Sequence, residues 1–299
     1  MNEARSKRPI VFGEVLFDCF PDGSMVLGGA PFNVAWHLQA FGRQPLFISK
    51  VGDDPLGQRV RDTMLDWGMD TSGLQLDSTH PTGTVQVVIE DGEPHYDIVA
   101  DRAYDFVSPD ALPPIGDAAL IYHGSLALRG EVTRSSFHQL LDNTRLPRFV
   151  DVNLRPPWWR LDAVRQLIEA ATWVKLNQDE LKQLSEIDGL ETEGEAFRRQ
   201  FGLQALLLTQ GSKGAQWLAD DGALSVSPQP AKQVVDTVGA GDAFAGIILL
   251  GLLMGWDDRL TLERAQSFAS AMVGKRGATV QDRAFYRHFA AAWALPESA

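Results

Sequence analysis

The chain has little cysteine, an excess of acidic over basic residues and no long apolar run. Its single cysteine, Cys19, excludes an internal disulfide and is typical of proteins from a reducing compartment. The net charge of −12 argues against nucleic acid as a partner. The longest apolar run, 243–256, has 14 residues, whereas a membrane-spanning helix needs roughly 20. We therefore expect a cytoplasmic protein that binds neither nucleic acid nor membranes.

Several motifs of common enzyme classes are also missing. The sequence contains no G-x-x-x-x-G-K-[ST] phosphate loop, which excludes a Walker-type nucleotide site. It contains no H-E-x-x-H or C-x-x-C spacing of metal ligands and no G-x-S-x-G nucleophile elbow. P-loop, zinc-dependent and α/β-hydrolase chemistries are therefore not expected.

The sequence DTVGAGDAF at 236–244 is the most informative stretch that is present. Gly239, Ala240 and Gly241 predict a tight turn with almost no side chains, leading into an apolar helix. The first amides of a helix lack internal acceptors and lie at the positive end of its dipole, so they suit an anion such as phosphate. Asp242 places a carboxylate beside this anion hole. Such a carboxylate is useful where it takes a proton from the group that attacks the phosphate.

The rest of the chain alternates between strand and helix patterns. Strands are predicted at 10–12, 46–51, 118–123, 148–153, 172–176 and 205–209, and helices near 56–67, 131–145, 161–171, 179–186, 192–201, 261–277 and 284–295. This alternation predicts a mostly parallel sheet with helices on both faces, an α/β fold in three layers. No composition break divides the chain, so we expect one domain over 1–299.

A β-hairpin interrupts this alternation in the first third of the chain. Residues 82–90 and 94–100 flank the turn signal Asp91-Gly92. Such a hairpin lies outside the main sheet, and we expect a small β lid formed by about 15–28 and 82–104. Its exposed edge predicts a homodimer through the lid.

Polar residues follow several of the predicted strands, where open α/β sheets place their ligands. Asp18 and Asn33 are candidates for binding a polyhydroxylated molecule, although a solvated turn and a local helix cap explain them equally. Arg102 suits a sugar or phosphate, or a surface pair with Asp101 or Asp105. Asn177 and Glu180 suit phosphates through magnesium and its waters, or a capping box, and both roles are compatible. Together with the anion hole, these groups predict phosphoryl transfer to an alcohol, with Asp242 as the base.

The same residues resemble a known family, the PfkB or ribokinase-like carbohydrate kinases, over essentially the whole chain. GGAPFNVA at 28–35 is similar to the N-terminal signature of that family and DTVGAGDAF to the C-terminal one. Between them, in the expected order, lie VGDDPLG at 51–57, DVNLRPPWW at 151–159, KLNQDE at 175–180 and LTQGSKGA at 208–215.

The resemblance implies a ribokinase-like fold and an ATP-dependent kinase of a sugar hydroxymethyl group. It implies Asp242 as the base and an anion hole at Gly239, Ala240 and Gly241. The sugar contacts it implies are Asp18, Gly29, Asn33, Arg102 and Arg155, and the ATP contacts are Lys175, Asn177, Thr209, Gly211 and Gly214. It also implies magnesium near Asn177 and Glu180, and a monovalent cation such as K⁺ at the carbonyls of Asp236 and Val238.

The predicted substrate is a neutral sugar. Ala30 stands where ribokinases and phosphosugar kinases of the family commonly have a lysine, so fructose is the first expectation. A kinase of 2-keto-3-deoxygluconate or another sugar acid is the alternative, because Arg102 or Arg155 could hold a carboxylate. Two other classes stay open: a non-catalytic sugar-binding protein, and a dinucleotide-dependent oxidoreductase suggested by the G-x-G alone.

Overall fold

A computed structural model describes residues 7–90, 93–188, 193–228 and 235–296. The predicted hairpin turn Asp91-Gly92 and the first residue of the predicted helix 192–201 lie outside these ranges. The strands are β1 (Arg8–Phe12), β2 (Leu16–Cys19), β3 (Met25–Gly28), β4 (Leu46–Gly52), β5 (Leu74–Asp77), β6 (Gly83–Glu90), β7 (Glu93–Ile98), β8 (Ala118–His123), β9 (Arg148–Asp151), β10 (Trp173–Asn177), β11 (Ala205–Thr209), β12 (Ala215–Ala219) and β13 (Gly222–Val226).

The helices are α1 (Ala30–Ala40), α2 (Pro55–Trp67), α3 (Glu131–Asp142), α4 (Leu161–Glu169), α5 (Gln178–Asp188), α6 (Gly194–Gln200), α7 (Ala240–Met254), α8 (Asp258–Met272) and α9 (Arg283–Ala292). The predicted helix at 261–277 begins earlier, because the Asp257 carboxylate accepts the Leu260 amide at 2.9 Å and caps it. None of the described helices is both long and apolar enough to cross a bilayer.

Within the described ranges nine strands form the central sheet, in the order β13-β12-β11-β10-β9-β8-β1-β4-β5. The pairs from β11 to β5 are parallel, and β12 and β13 extend the sheet as an antiparallel edge. The parallel strands other than the edge strand β5, where Leu76 is 62% exposed, are largely buried, as expected when helices cover both faces. One predicted strand is too long: β9 ends at Asp151, and Asn153 adopts a left-handed φ of 43° that cannot continue a strand.

Two helical layers cover the sheet. On one face α1, α2, α7, α8 and α9 share an apolar core with Tyr122, Phe149 and Leu207 of the strands. On the other face α3 packs on Ile10 and Ile121, while α4, α5 and α6 share a core with strands β9 to β12. The three-layer arrangement confirms the predicted fold class.

Helix α7 crosses the middle of the first layer and contacts α1 and α8. Ten of its residues are buried, so its apolar run is a core helix, as predicted. Its burial fixes the position of its N-terminus, where Asp242 lies in the first turn.

A separate four-stranded sheet has the order β3-β2-β6-β7. Its strands come from 16–28 and 83–98, within the two segments predicted for the lid. Met25, Val26, Val88 and Tyr96 of this small sheet are exposed apolar or aromatic side chains.

Candidate active site

The carboxyl ends of the central strands, the small sheet and the start of α7 surround one cavity of about 790 Å³. Predicted site residues on its wall are Asp18, Gly29, Asn33, Arg155, Lys175, Asn177, Glu180, Thr209, Asp236, Val238, Gly239, Gly241 and Asp242. The structure therefore brings together residues separated by more than two hundred positions in the sequence.

Four predicted site residues do not line this cavity: Ala240, Arg102, Gly211 and Gly214. The two glycines lie in and after a short turn that follows β11, beyond Thr209 on the cavity wall. Arg102 precedes the short turn Ala103–Phe106, where its backbone amide donates to the Asp105 carboxylate at 3.1 Å. The Asp105 carboxylate pairs with Arg129 at 2.8 Å, so it is not the side-chain partner of Arg102 suggested above.

The N-terminus of α7 has the features of an anion site. Gly239 precedes it with a left-handed φ of 77°, and a β-carbon there would overlap Ala278. The Ala240 amide already donates to the Thr237 carbonyl at 3.3 Å. No acceptor in the described ranges takes the Gly241 or Asp242 amide. The Gly239 amide likewise donates to no acceptor among these residues, so the amides left for an anion are those of Gly239, Gly241 and Asp242.

Asp242 is held by Asn33 of α1, whose Nδ2 donates to Asp242 Oδ2 at 2.7 Å. Burial raises the pKa of the Asp242 carboxyl to about 6, and nearby Asp151 adds to this, whereas the Asn33 hydrogen bond and the charges of Lys175 and Arg155 oppose it. The helix dipole alone predicts a lower pKa, so burial outweighs it. At pH 7 the carboxylate is still mainly ionised.

Lys175 places a positive charge beside the start of α7. Its Nζ lies 3.5 Å from where a β-carbon on Gly241 would be. The same Nζ forms a buried ion pair with Asp151 Oδ1 at 2.7 Å, and Tyr122 donates to the other Asp151 oxygen at 3.1 Å. Burial lowers the pKa of Lys175, but the charges of Asp151 and Glu180 more than offset this and raise it. The lysine is therefore a fixed cation next to the free amides.

Asn177 and Glu180 form the capping box considered above. Asn177 Oδ1 accepts the Glu180 amide at 2.8 Å, and Glu180 Oε2 accepts the Asn177 amide at 2.8 Å. Glu180 Oε1 accepts the Leu154 amide at 2.9 Å. The buried Glu180 thus joins the ends of β9 and β10 while it faces the cavity.

The opposite wall carries Asp18 of β2 and Asn33 of α1 around Gly28. A β-carbon on Gly28 would lie 3.9 Å from Asp18 Oδ2 and 4.0 Å from Asn33 Oδ1. Burial raises the pKa of Asp18 to about 6, partly opposed by Arg155. Gly29 has a φ of 107°, and a β-carbon there would lie 2.7 Å from the Glu14 carbonyl, so this turn requires glycine.

Some cavity residues were missed by the sequence interpretation. Glu14 and Arg276 line the cavity, and Asp151 holds Lys175. Glu14 stands directly after the first strand, so the rule that ligands bind at the carboxyl ends of strands could have identified it. Arg276 lies between α8 and α9, where the sequence pattern gives no signal.

Comparison with known proteins agrees with this geometry. The family model "pfkB family carbohydrate kinase" matches residues 16–283. A fructokinase from Klebsiella pneumoniae is 33% identical over 256 residues, covering 81% of this chain and 83% of that protein. The chain therefore belongs to the pfkB family of carbohydrate kinases.

Two solved structures share the fold. A double-mutant fructokinase from Vibrio cholerae O395, with fructose, ADP and potassium ion bound, has a TM-score of 0.80 at 26% identity, covering 94% of this chain and 98% of the other. An uncharacterized sugar kinase from Pyrococcus horikoshii, in complex with ATP, has a TM-score of 0.80 at 27% identity, covering 90% and 93%. The predicted family and fold are confirmed.

Proposed function

We propose that this protein is an ATP-dependent fructokinase that uses Asp242 as its general base. The observation that carries the proposal is the position of the Asp242 carboxylate. It lies at the free N-terminus of α7, beside the Lys175 cation and hydrogen-bonded to Asn33 of the neighbouring helix α1. One carboxylate thereby faces both an anion site and a wall suited to hydroxyl groups.

In the proposed reaction a sugar hydroxyl oxygen attacks the γ-phosphorus of ATP. The bond from that phosphorus to the bridging oxygen breaks, ADP leaves, and the hydroxyl proton passes to Asp242. An ionised aspartate is a weak base for an alcohol, so the proton moves late, as the new P–O bond forms. The amides of Gly239, Gly241 and Asp242 and the Lys175 ammonium stabilise charge on the transferred phosphoryl group.

The nucleotide is proposed to lie along the ends of β10 and β11. Thr209 and Asn177 line the cavity there, and Gly211 and Gly214 would border the nucleoside. The ATP complex of the Pyrococcus horikoshii protein supports this assignment of the ligand.

Magnesium is proposed to enter with the phosphates of ATP. The described residues include no group of three or more His, Cys, Asp or Glu that could enclose a metal. Both Glu180 oxygens already accept a backbone amide, so its carboxylate suits water-mediated contact with the ion better than direct ligation. Magnesium usually keeps several waters and takes few protein ligands. Bound magnesium would neutralise phosphate charge.

A monovalent cation is proposed near Asp236 and Val238. The Asp236 carboxylate accepts the amides of Val238 and Gly277 at 2.9 and 3.0 Å. Its oxygens thus brace the turn before α7, which leaves backbone carbonyls as the expected ligands. Potassium in the Vibrio cholerae structure supports this choice of ion.

Fructose is the proposed substrate because the sugar wall carries carboxylates and an amide, which pair with hydroxyl groups. Asp18, Glu14 and Asp242 all face the cavity, and a sugar acid would add a further negative charge among them. Arg155 is an exposed cation that lines the same cavity, as is Arg276, and Arg155 keeps 2-keto-3-deoxygluconate as the second candidate. Arg102 would contact a sugar only from the periphery.

The test is a panel of ketoses, aldoses and sugar acids with Mg-ATP, followed by ADP release and identification of the product by NMR. We expect the highest kcat/KM with fructose. Failure of every sugar would overturn the kinase proposal, and tight sugar binding without turnover would support a sugar-binding protein instead. A highest kcat/KM with a sugar acid would overturn the choice of fructose alone.

We further propose a cytoplasmic homodimer whose subunits meet through the small sheet. The exposed Met25 and Val88 of this sheet support this surface, whereas Val26 and Tyr96 line the cavity. Light scattering of the wild type and of Val88→Glu tests it. Two chains per particle in the wild type and one in the variant are expected, and a monomeric wild type would contradict it.

A further inference from the structure

Glu14 is a buried carboxyl group to which the proposed reaction assigns no role. It lies two residues after the end of β1, an interior strand of the central sheet between β8 and β4. Only 3% of Glu14 is exposed, yet it lines the cavity beside Gly29 and Asn33. Its position is therefore fixed by the core of the fold, and its side chain borders the space proposed for the sugar.

The hydrogen bonds of this wall are incomplete. Glu14 Oε2 and Asn33 Oδ1 are both buried, and neither has a partner among the described residues. Buried polar atoms without a partner are rare in native proteins and are costly. Asn33 Nδ2 donates one N–H to Asp242, and the two atoms on this wall that have no partner are oxygens. The ligand that satisfies acceptors is one that carries several hydroxyl donors.

The charges around Glu14 come from several elements. Burial raises the pKa of Glu14 to about 7, its own backbone amide and the charges of Arg155 and Arg129 lower it, and the charge of Asp242 raises it. Near neutral pH the carboxyl is present in both protonation states. Both states bind a hydroxyl group, since the ionised form accepts a hydrogen bond and the protonated form can also donate one.

We propose that Glu14 binds a sugar hydroxyl other than the one that is phosphorylated, as a third polar contact beside Asp18 and Asn33. The acceptor hydroxyl must approach Asp242, which Asn33 binds through Nδ2, while Asn33 Oδ1 has no partner among the described residues. Glu14 thereby fixes how the sugar is oriented relative to the base. This inference rests on the proposed kinase function.

The test compares Glu14→Leu, Glu14→Ala and Glu14→Gln, with Glu263→Gln on the exposed face of α8 as the matched control. We expect Leu and Ala to raise KM for the sugar about 10- to 100-fold, the loss of one buried hydrogen bond, while KM for ATP changes less than about twofold. Gln keeps an acceptor and should stay within about fivefold of the wild type.

Monodeoxy sugars identify the contact. The analogue that lacks the hydroxyl bound by Glu14 should bind the wild type at least about tenfold more weakly than the parent sugar does. In Glu14→Leu the analogue and the parent sugar should bind about equally, because the contact is already lost. An unchanged sugar KM in a folded Leu or Ala variant, or an equal rise in KM for ATP, overturns the proposal.

If neither apolar variant folds, the test is the NMR ¹³C chemical shift of the Glu14 carboxyl in the wild type. The signal is assigned by comparison with Glu14→Gln. A shift on adding sugar supports the contact, and an unmoved signal overturns it. A wild type that phosphorylates no sugar would instead overturn the kinase function, so the two failures are distinguishable.

Discussion

The two walls of the cavity satisfy their polar groups differently. On the wall proposed for the nucleotide, at the ends of β10 and β11 and called the nucleotide wall below, Lys175 is paired with Asp151, and both oxygens of Glu180 accept amides. On the wall proposed for the sugar, called the sugar wall below, Glu14 Oε2 and Asn33 Oδ1 have no partner among the described residues. The nucleotide wall is thus preorganised by internal bonds, whereas the sugar wall depends on its ligand to complete it. We infer that substrate choice resides in the sugar wall.

The largest expected effect is at the point where the walls meet. Asp242→Asn keeps the shape of the side chain and an acceptor for Asn33 but removes the base. We expect kcat to fall by about 10²–10⁴-fold or more, measured as ADP release with saturating sugar and Mg-ATP. Asp62→Asn on the exposed face of α2 is the control and should keep full activity. If Asp242→Asn turns over near the wild-type rate, Asp242 is not the general base.

The same substitution should stabilise the protein. Folding raises the pKa of Asp242 from 3.8 to about 6, so the folded state holds this proton more tightly than the unfolded state. Stability is therefore lost as pH rises from about 4 to 6, and the loss is complete above 6. We expect Asp242→Asn to add about 1–3 kcal/mol at pH 7 and little at pH 4, measured by urea unfolding. A destabilised variant at pH 7 would contradict the burial argument.

The next effect tests the preorganised wall. Lys175→Met leaves the buried Asp151 unpaired, so we expect a loss of about 3–5 kcal/mol in unfolding free energy and at least a tenfold rise in KM for ATP. Lys182→Met, an exposed change on α5, is the control.

The double variant Lys175→Met/Asp151→Leu separates the two roles of the pair. It removes both buried charges, so stability should largely return while KM for ATP stays high. Recovery of ATP affinity in the double variant would show that Lys175 acts through the fold alone and does not contact the nucleotide.

This contrast also explains what the sequence could predict. The nucleotide wall is built from short segments such as 175–180, in which neighbouring residues bond to one another, so local spacing revealed Asn177 and Glu180. Helix α7 was predictable because its apolar run is continuous. The sugar wall joins β1, β2 and α1 through contacts over long sequence separations, and the link from Asn33 to Asp242 spans 209 positions.

Glu14 shows the limit of local reasoning. A glutamate after a strand is ordinary in a sequence, and only the packing of the sheet shows that it is buried with one unpaired oxygen. The raised pKa of Asp242 has the same origin, because burial depends on the whole core while the helix dipole is a local property. Arg102 was predicted from its place after the hairpin, and the structure places it off the cavity wall.

A smaller effect should appear in the pH dependence. Because Asp242 must be ionised to accept a proton, kcat/KM for the sugar should fall as pH drops through about 6, approaching tenfold per unit below it. The pKa of Asp18 is also raised to about 6, so kcat and KM must be followed separately from pH 5 to 8. If kcat/KM falls at low pH only because KM rises, the group that titrates belongs to the sugar wall and is not the base.

The smallest expected effect is at Glu180. In Glu180→Gln one of the two acceptor oxygens becomes an amide nitrogen that faces a backbone amide of Asn177 or Leu154. We expect a loss of about 1–2 kcal/mol in unfolding free energy and a few-fold rise in the magnesium concentration for half-maximal rate. KM for the sugar should not change, because Glu180 belongs to the completed wall. Glu186→Gln, exposed on the same helix, is the control. A rise in sugar KM as large as that expected for Glu14→Leu would mean that the two walls do not act separately, and that the cavity responds to substitution as one unit.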